Sequence, residues 1–398
     1  MALFQSSRRL SGARVGAYRA HTAREDHDRT RTWRALWSAT AEGCGLANRV
    51  VVPAGVTAVI PPLRGIVDQP GRPLVLVVEM LRGQHPSDYV AQTDRLALAL
   101  DAATVAVAAR GGRSIGLELH DVDPLADQYT PDLPRLTAIR DEVLLGRGAD
   151  GVTVGHVLAA AAHIAVQGQN GSGKSLFAYC LLAQAATAPD VLIAGSDITG
   201  LLLGAAWDGT VHRGWQATGT ADLEQHAVTL ERLVAVMDHR LATMPPGVDK
   251  LESTVDRPLV LVVLEEFPGL LRAAGAQPRP GKGERTLQQR ITGANLRLLS
   301  EGRKVAFRVL TLAQRAEAEA LGGGYARDQY ALSISFRVPA DSLAMLHGDD
   351  ARPLGAAHQT AEPGIAVVSA PGRPLARLRT PYLPGEYAEF CRRVGASS

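Results

Sequence analysis

The chain has 398 residues, with 46% apolar and 5% aromatic side chains and a formal net charge of +2. That length holds two or three domains, and so small a net charge excludes an overall cationic field as the means of holding nucleic acid, leaving only local patches. Cys44, Cys180 and Cys391 offer no metal-ligand spacing, so the simple reading is a reduced, cytoplasmic setting, and no apolar run reaches the roughly 18 residues that span a bilayer, so membrane attachment would need a partner.

Residues 1–31 carry Arg8, Arg9, Arg14, Arg19, Arg24 and Arg29 among few apolar side chains, the composition of a flexible tail. A nucleic-acid arm or a targeting peptide reads similarly, and a solvated leader is the plainer reading. Segment 32–68 opens with Trp33, Leu36, Trp37 and Thr40 at helical spacing, which predicts a short helix. Its remainder, Val50 to Ile66, contains Pro53, Pro61 and Pro62 and is expected to be irregular or edge strand.

Residues 69–143 read as a small β-α-β-β domain. Arg72 to Met80 is β-rich, Ser87 to Ala102 reads as a helix opening on a Ser/Asp cap, and Thr104 to Ala109 and Ser114 to Leu119 read as strands. Asp121 to Asp141, with three prolines, reads as a connection. From Leu144 strands and helices alternate over 144–390, the pattern of a mainly parallel sheet with crossover helices.

His163 to Gln167 predicts a short buried strand and Leu176 to Ala186 an apolar helix. Between them Gly168-Gln169-Asn170-Gly171-Ser172-Gly173-Lys174-Ser175 meets the phosphate-loop pattern G-x-x-x-x-G-K-[ST] at every fixed position, with Leu176 opening the helix. The glycines let backbone amides wrap an anion, Lys174 is aimed at the outer phosphates, and the Ser175 hydroxyl suits Mg²⁺. Only Lys174, Lys250, Lys282 and Lys304 are lysine among 42 basic residues, so a lysine here is a selective choice of a compact ammonium over a planar fork. The nucleotide implied is ATP with Mg²⁺.

Further on, Asp190 to Ala194 predicts a second core strand and Thr220 to Met244 a long amphipathic helix. Pro258 to Leu264 is wholly apolar and ends in Glu265-Glu266. Acids at the carboxyl end of a central parallel strand lie where ligands bind, so Glu265 is the candidate for the Mg²⁺ shell and Glu266 for the group that orients or deprotonates water. Val305 to Ala313 ends in Gln314-Arg315, and Gln314 could sense the terminal phosphate or the water; a polar strand end without a role reads alike. Arg272 to Arg290 holds Arg272, Arg279, Lys282, Arg285 and Arg290 against Glu284 with interspersed glycines and prolines, and Gly322 to Arg327 is a second glycine-rich loop with a cation. Either loop suits phosphate contacts that carry no sequence information, with Arg279, Lys282 and Arg285 the named candidates.

Taken together, the order of elements resembles the FtsK/SpoIIIE family of DNA translocases, over about residues 70 to 385. The likeness lies in Arg72 to Leu119 before the motor, Val236-Met237-Asp238-His239-Arg240, Val262 to Leu271, Gly302-Arg303 with Phe307 to Arg315, and the block Tyr330 to Leu378. It implies a RecA-like α/β P-loop NTPase, preceded by a small mixed domain, that hydrolyses ATP between subunits of a hexameric ring while moving double-stranded DNA. Arg303, or failing it Arg337, is the implied cation supplied to the neighbouring subunit. The chain departs from the family in Glu265, where Asp is usual, and in lacking membrane helices and the DNA-reading winged-helix tail, which narrows the likeness to compact motors of conjugative elements with a membrane-anchoring partner. An ATPase that moves protein in secretion, or a nucleotide-dependent docking factor, fits the same residues.

Overall fold

In a computed structural model of the protein the described residues are 23–53, 55–160, 163–315, 321 and 324–396. The chain divides into two compact units, Met1–Asp127 and Gln128–Ser398.

The first unit begins with helix α1 (Ala23–Gly43), which starts inside the stretch expected as a tail, while Arg8, Arg9, Arg14 and Arg19 lie outside the described residues. The 3.6-residue period decides its packing: Trp37, Thr40, Ala41 and Cys44 share a buried face, and Leu36 falls off it into solvent. Trp37 Nε1–H donates to the Pro61 carbonyl at 2.6 Å, which satisfies the ring's one polar atom inside the core.

Val50 to Ile66 is more regular than its prolines imply. It forms a hairpin of β1 (Asn48–Val52) and β2 (Gly55–Val59), then β3 (Leu63–Val67). Pro53 sits in the turn and Pro61 and Pro62 between strands, so no ladder donor is lost. β3 is the edge of an antiparallel sheet with β4 (Leu74–Glu79), β5 (Thr104–Ala109) and β6 (Ser114–His120), in the order β3-β4-β6-β5. The single helix expected from Ser87 is two, α2 (Pro86–Val90) and α3 (Thr93–Ala99). His85, not Ser87, is the cap: its ring accepts from the Ser87 amide while Asp88 accepts from the His85 amide.

The second unit carries one ten-stranded sheet. Its strands are β7 (Glu142–Gly148), β8 (Thr153–Val157), β9 (His163–Gln167), β10 (Val191–Asp197), β11 (Gln216–Thr218), β12 (Leu259–Glu265), β13 (Phe307–Ala313), β14 (Tyr330–Ser335), β15 (Ile365–Ala370) and β16 (Arg373–Arg379). Their order is β11-β10-β12-β13-β9-β14-β15-β16-β7-β8. Every pair from β11 to β14 is parallel and every pair from β14 to β8 antiparallel.

The two-residue period of β12 explains its complete burial. Leu259, Leu261 and Val263 enter a core with helix α4 (Lys174–Ala185), whereas Val260, Val262 and Leu264 enter a second core with α5 (Leu223–Ala242), α6 (Phe267–Gly275) and α7 (Leu287–Glu301). The last helix, α8 (Glu386–Gly395), packs Phe390 and Val394 on the α4 side. The unit is therefore an α/β sandwich whose parallel strands present their carboxyl ends together at one edge. Among the described residues no helix is long and apolar enough to cross a membrane.

Candidate functional site

The turn from β9 into α4 is shaped by its glycines. Gly171 and Gly173 have φ of 68° and 107°, which side chains other than glycine adopt only with strain. A Cβ on Gly173 would stand 2.7 Å from the Gly364 nitrogen, and one on Gly168 would stand 2.8 Å from Phe336 Cβ. Three backbone bonds hold the loop to its neighbours: Gly168 N–H to Ala313 at 3.2 Å, Gln169 N–H to Arg337 at 3.0 Å, and Gly364 N–H to Ser172 at 2.9 Å. No side chain caps α4, so its first-turn amides remain directed at the loop's concave side, where a helix N-terminus favours an anion. A cavity of about 650 Å³ opens there, lined by Gln169 to Leu176 and by Tyr129, Tyr179, Arg379, Pro381 and Tyr382.

A second cavity of about 210 Å³ shares Asn170, Lys174, Ser175 and Tyr179 with the first and closes on Thr199, Glu265, Glu266 and Gln314. Lys174 is 8% exposed, and its Nζ lies 4.0 Å from Glu266 Oε2. Glu266 caps α6 at φ 44°, a strained conformation for a residue with a side chain. Glu265 ends β12, and burial and the charge of Asp197 push its carboxyl up to about 7, with Lys174 opposing and Glu266 adding to the rise.

Asp197 is the partner of Glu265 in strand register. It is fully buried and accepts from the Thr199 amide and hydroxyl and from the amides of Gly200, Leu202 and Leu203, at 2.7 to 2.9 Å. Those five donors occupy its oxygens, whereas the buried Oε2 of Glu265 has no hydrogen-bond partner. An orphaned carboxylate oxygen and the exposed Ser175 hydroxyl on one cavity wall are hard donors that fit Mg²⁺. Among the described residues no group of three or more His, Cys, Asp or Glu could hold a metal, so the remaining ligands would be phosphate and water oxygens.

The structure thus brings together residues 168–176, Glu265, Glu266 and Gln314. Arg303 stands apart, in the short turn Gly302–Val305 at the amino end of β13, whose length places it roughly 20 Å from the carboxyl edge. Arg337 supports the loop through its carbonyl, and its Nη1 donates to Ala361 O at 3.4 Å. Arg279, Lys282 and Arg285 are exposed between α6 and α7. The basic loop expected over Arg272 to Arg290 is shorter than that: Arg272 lies in α6, and Arg290 lies in α7 and is tied to Glu231 at 2.7 Å and to Glu224, both on α5. Of the second loop, Gly322 and Gly323 lie outside the described residues, and Arg327 stands 4.0 Å from Asp328.

Asp197, Arg379 and the cavity tyrosines are additions that the sequence reading missed. Asp197 had a usable signal, since an acid ends the β10 run just as Glu265 ends β12.

No protein-family model matches the chain, and no curated protein matches it. Solved structures match in fold. The monomer form of the pCW3 conjugation coupling protein TcpA with ATPγS superposes with a TM-score of 0.53 at 15% identity, covering 89% of this chain and 98% of that one. ATPases 2 and 3 of EssC from Geobacillus thermodenitrificans superpose with a TM-score of 0.50 at 16% identity, covering 68% of this chain and 50% of that one. The present chain thus spans half the length of that EssC chain. At these identities the likeness is one of fold alone, an α/β fold shared with these structures, which are themselves FtsK/SpoIIIE-type ATPases.

Proposed function

We propose that the chain is an ATPase that pulls double-stranded DNA through a hexameric ring of its own copies, in conjugative transfer or DNA segregation, on the cytoplasmic side with a membrane-anchoring partner. The observation that carries the ATPase reading is the pair of adjoining cavities sharing Lys174 and Ser175, one walled by the phosphate loop and tyrosines, the other by Glu265, Glu266 and Gln314.

The first-turn amides of α4 would take the phosphates, and Lys174 would turn from Glu266 to the outer ones. That exchange frees the Glu266 carboxylate to orient the attacking water and accept its proton, with Gln314 beside it. Ser175 and Glu265 would hold Mg²⁺, which supplies charge neutralisation on the phosphate oxygens when bound. Arg303, too far to serve its own cavity, is assigned to that of the next subunit, where a cation stabilises charge developing on the terminal phosphate.

Arg279, Lys282 and Arg285 are the DNA contacts in this reading. Because Arg290 is held by Glu224 and Glu231, the basic stretch is weaker than its composition implies, which favours as second reading an ATPase that moves protein. The test is the hydrolysis rate alone, with double-stranded DNA, and with an unfolded peptide. Stimulation by DNA is expected. Stimulation by peptide alone would support secretion, and no stimulation would support a docking factor.

A further inference from the structure

Among the residues lining the larger cavity two are cations, Lys174 and Arg379, and the reaction above uses only the first. Arg379 ends β16 and is 4% exposed. Its Nη1 donates to the Pro363 carbonyl at 2.7 Å, and its Nη2 donates to Glu362 Oε2 at 3.3 Å. Both acceptors belong to the turn 362–364, whose Gly364 amide donates to Ser172 inside the phosphate loop. Thr380 closes the same buckle, its amide donating to the Gly364 carbonyl at 2.8 Å.

A buried guanidinium on the wall of a phosphate-loop cavity is thus paired with a carboxylate, Glu362, whose side chain is 73% exposed. A long pairing to a solvated carboxylate is weak, whereas a buried guanidinium can make short, paired bonds to phosphate. We propose that Arg379 is a nucleotide sensor acting within its own subunit: it gives up Glu362 for a phosphate oxygen of the bound nucleotide. The exchange loosens the 362–364 turn and so carries occupancy of the cavity into β15 and β16. This rests on the nucleotide reading of the phosphate loop. Lys174 couples the same ligand to the acids at the end of β12, and Arg379 couples it to the antiparallel half of the sheet.

The test is calorimetry of Mg-ADP and Mg-ATPγS on the full chain, comparing wild type, Glu362→Gln, Arg379→Gln and the double variant. Removing the competing carboxylate is expected to tighten binding about threefold, and removing the guanidinium to weaken it about tenfold or more. In the double variant the gain from Glu362→Gln should vanish. Glu362 is exposed, so its variant carries the test even if Arg379→Gln folds poorly. Wild-type binding with unchanged or weaker binding by Glu362→Gln overturns this inference alone. Absence of wild-type binding overturns the nucleotide reading and this inference with it.

Discussion

Lys174 Nζ stands 4.0 Å from Glu266 Oε2, so the cation of the phosphate loop and the second acid of the β12 edge face each other across one cavity. Their separation should be visible in kinetics. Lys174→Ala is expected to abolish detectable Mg-ATP binding. Glu266→Gln should keep binding and lose hydrolysis by about a hundredfold or more. Calorimetry with phosphate-release assays checks both, and wild-type turnover by Glu266→Gln would contradict the assigned role.

Glu265 links stability to pH. Its carboxyl is raised to about 7 in the folded chain against an ordinary value of 4.5, so between those values the folded state holds a proton that the unfolded state releases. Its contribution to stability therefore falls as pH rises through that window, by up to about 3 kcal/mol. Glu265→Gln should gain on wild type in urea midpoint at pH 8 relative to pH 5. Parallel curves would remove the argument for a proton on this group.

The two left-handed glycines should respond unequally. Gly171 has open space around its missing Cβ, so Gly171→Ala should cost about 1 kcal/mol, the conformational penalty alone. Gly173 adds a backbone collision with Gly364, so Gly173→Ala should cost about 2–4 kcal/mol and nucleotide binding as well. Equal losses in thermal unfolding and calorimetry would show that the contact with Gly364 yields readily.

Salt dependence separates loop cations from structural ones. Changing Arg279, Lys282 and Arg285 together to Ala should weaken DNA binding and lower the slope of log affinity against log salt by up to about 3. Arg290→Ala should leave that slope alone and cost about 1 kcal/mol of stability, because its partners are Glu224 and Glu231. An unchanged slope in the triple variant would sink the loop assignment.

If Arg303 completes the site of a neighbour, a mixture of Lys174→Ala and Arg303→Ala chains should hydrolyse ATP although each is inactive alone. A mixture as inactive as its components would refute the shared site.

What the sequence by itself determined is whatever depends on contiguous residues. The phosphate loop, the buried strand before it, the helix after it and the acids ending an apolar run are readable because turn chemistry and side-chain period act over a few residues. The paired tryptophans of α1 are a partial case, since spacing predicts the helix while the buried face of Trp37 depends on Pro61. Only the tertiary structure decided the rest. Placing β13 between β9 and β12 brings Gln314 to the acids and loop, five local donors leave Glu265 as the acid with an oxygen to offer, and acids 66 and 59 positions earlier take Arg290. These partners are chosen by which strands and helices become neighbours, and that choice comes from burying two faces of one sheet at once, a long-range packing condition that no local pattern encodes.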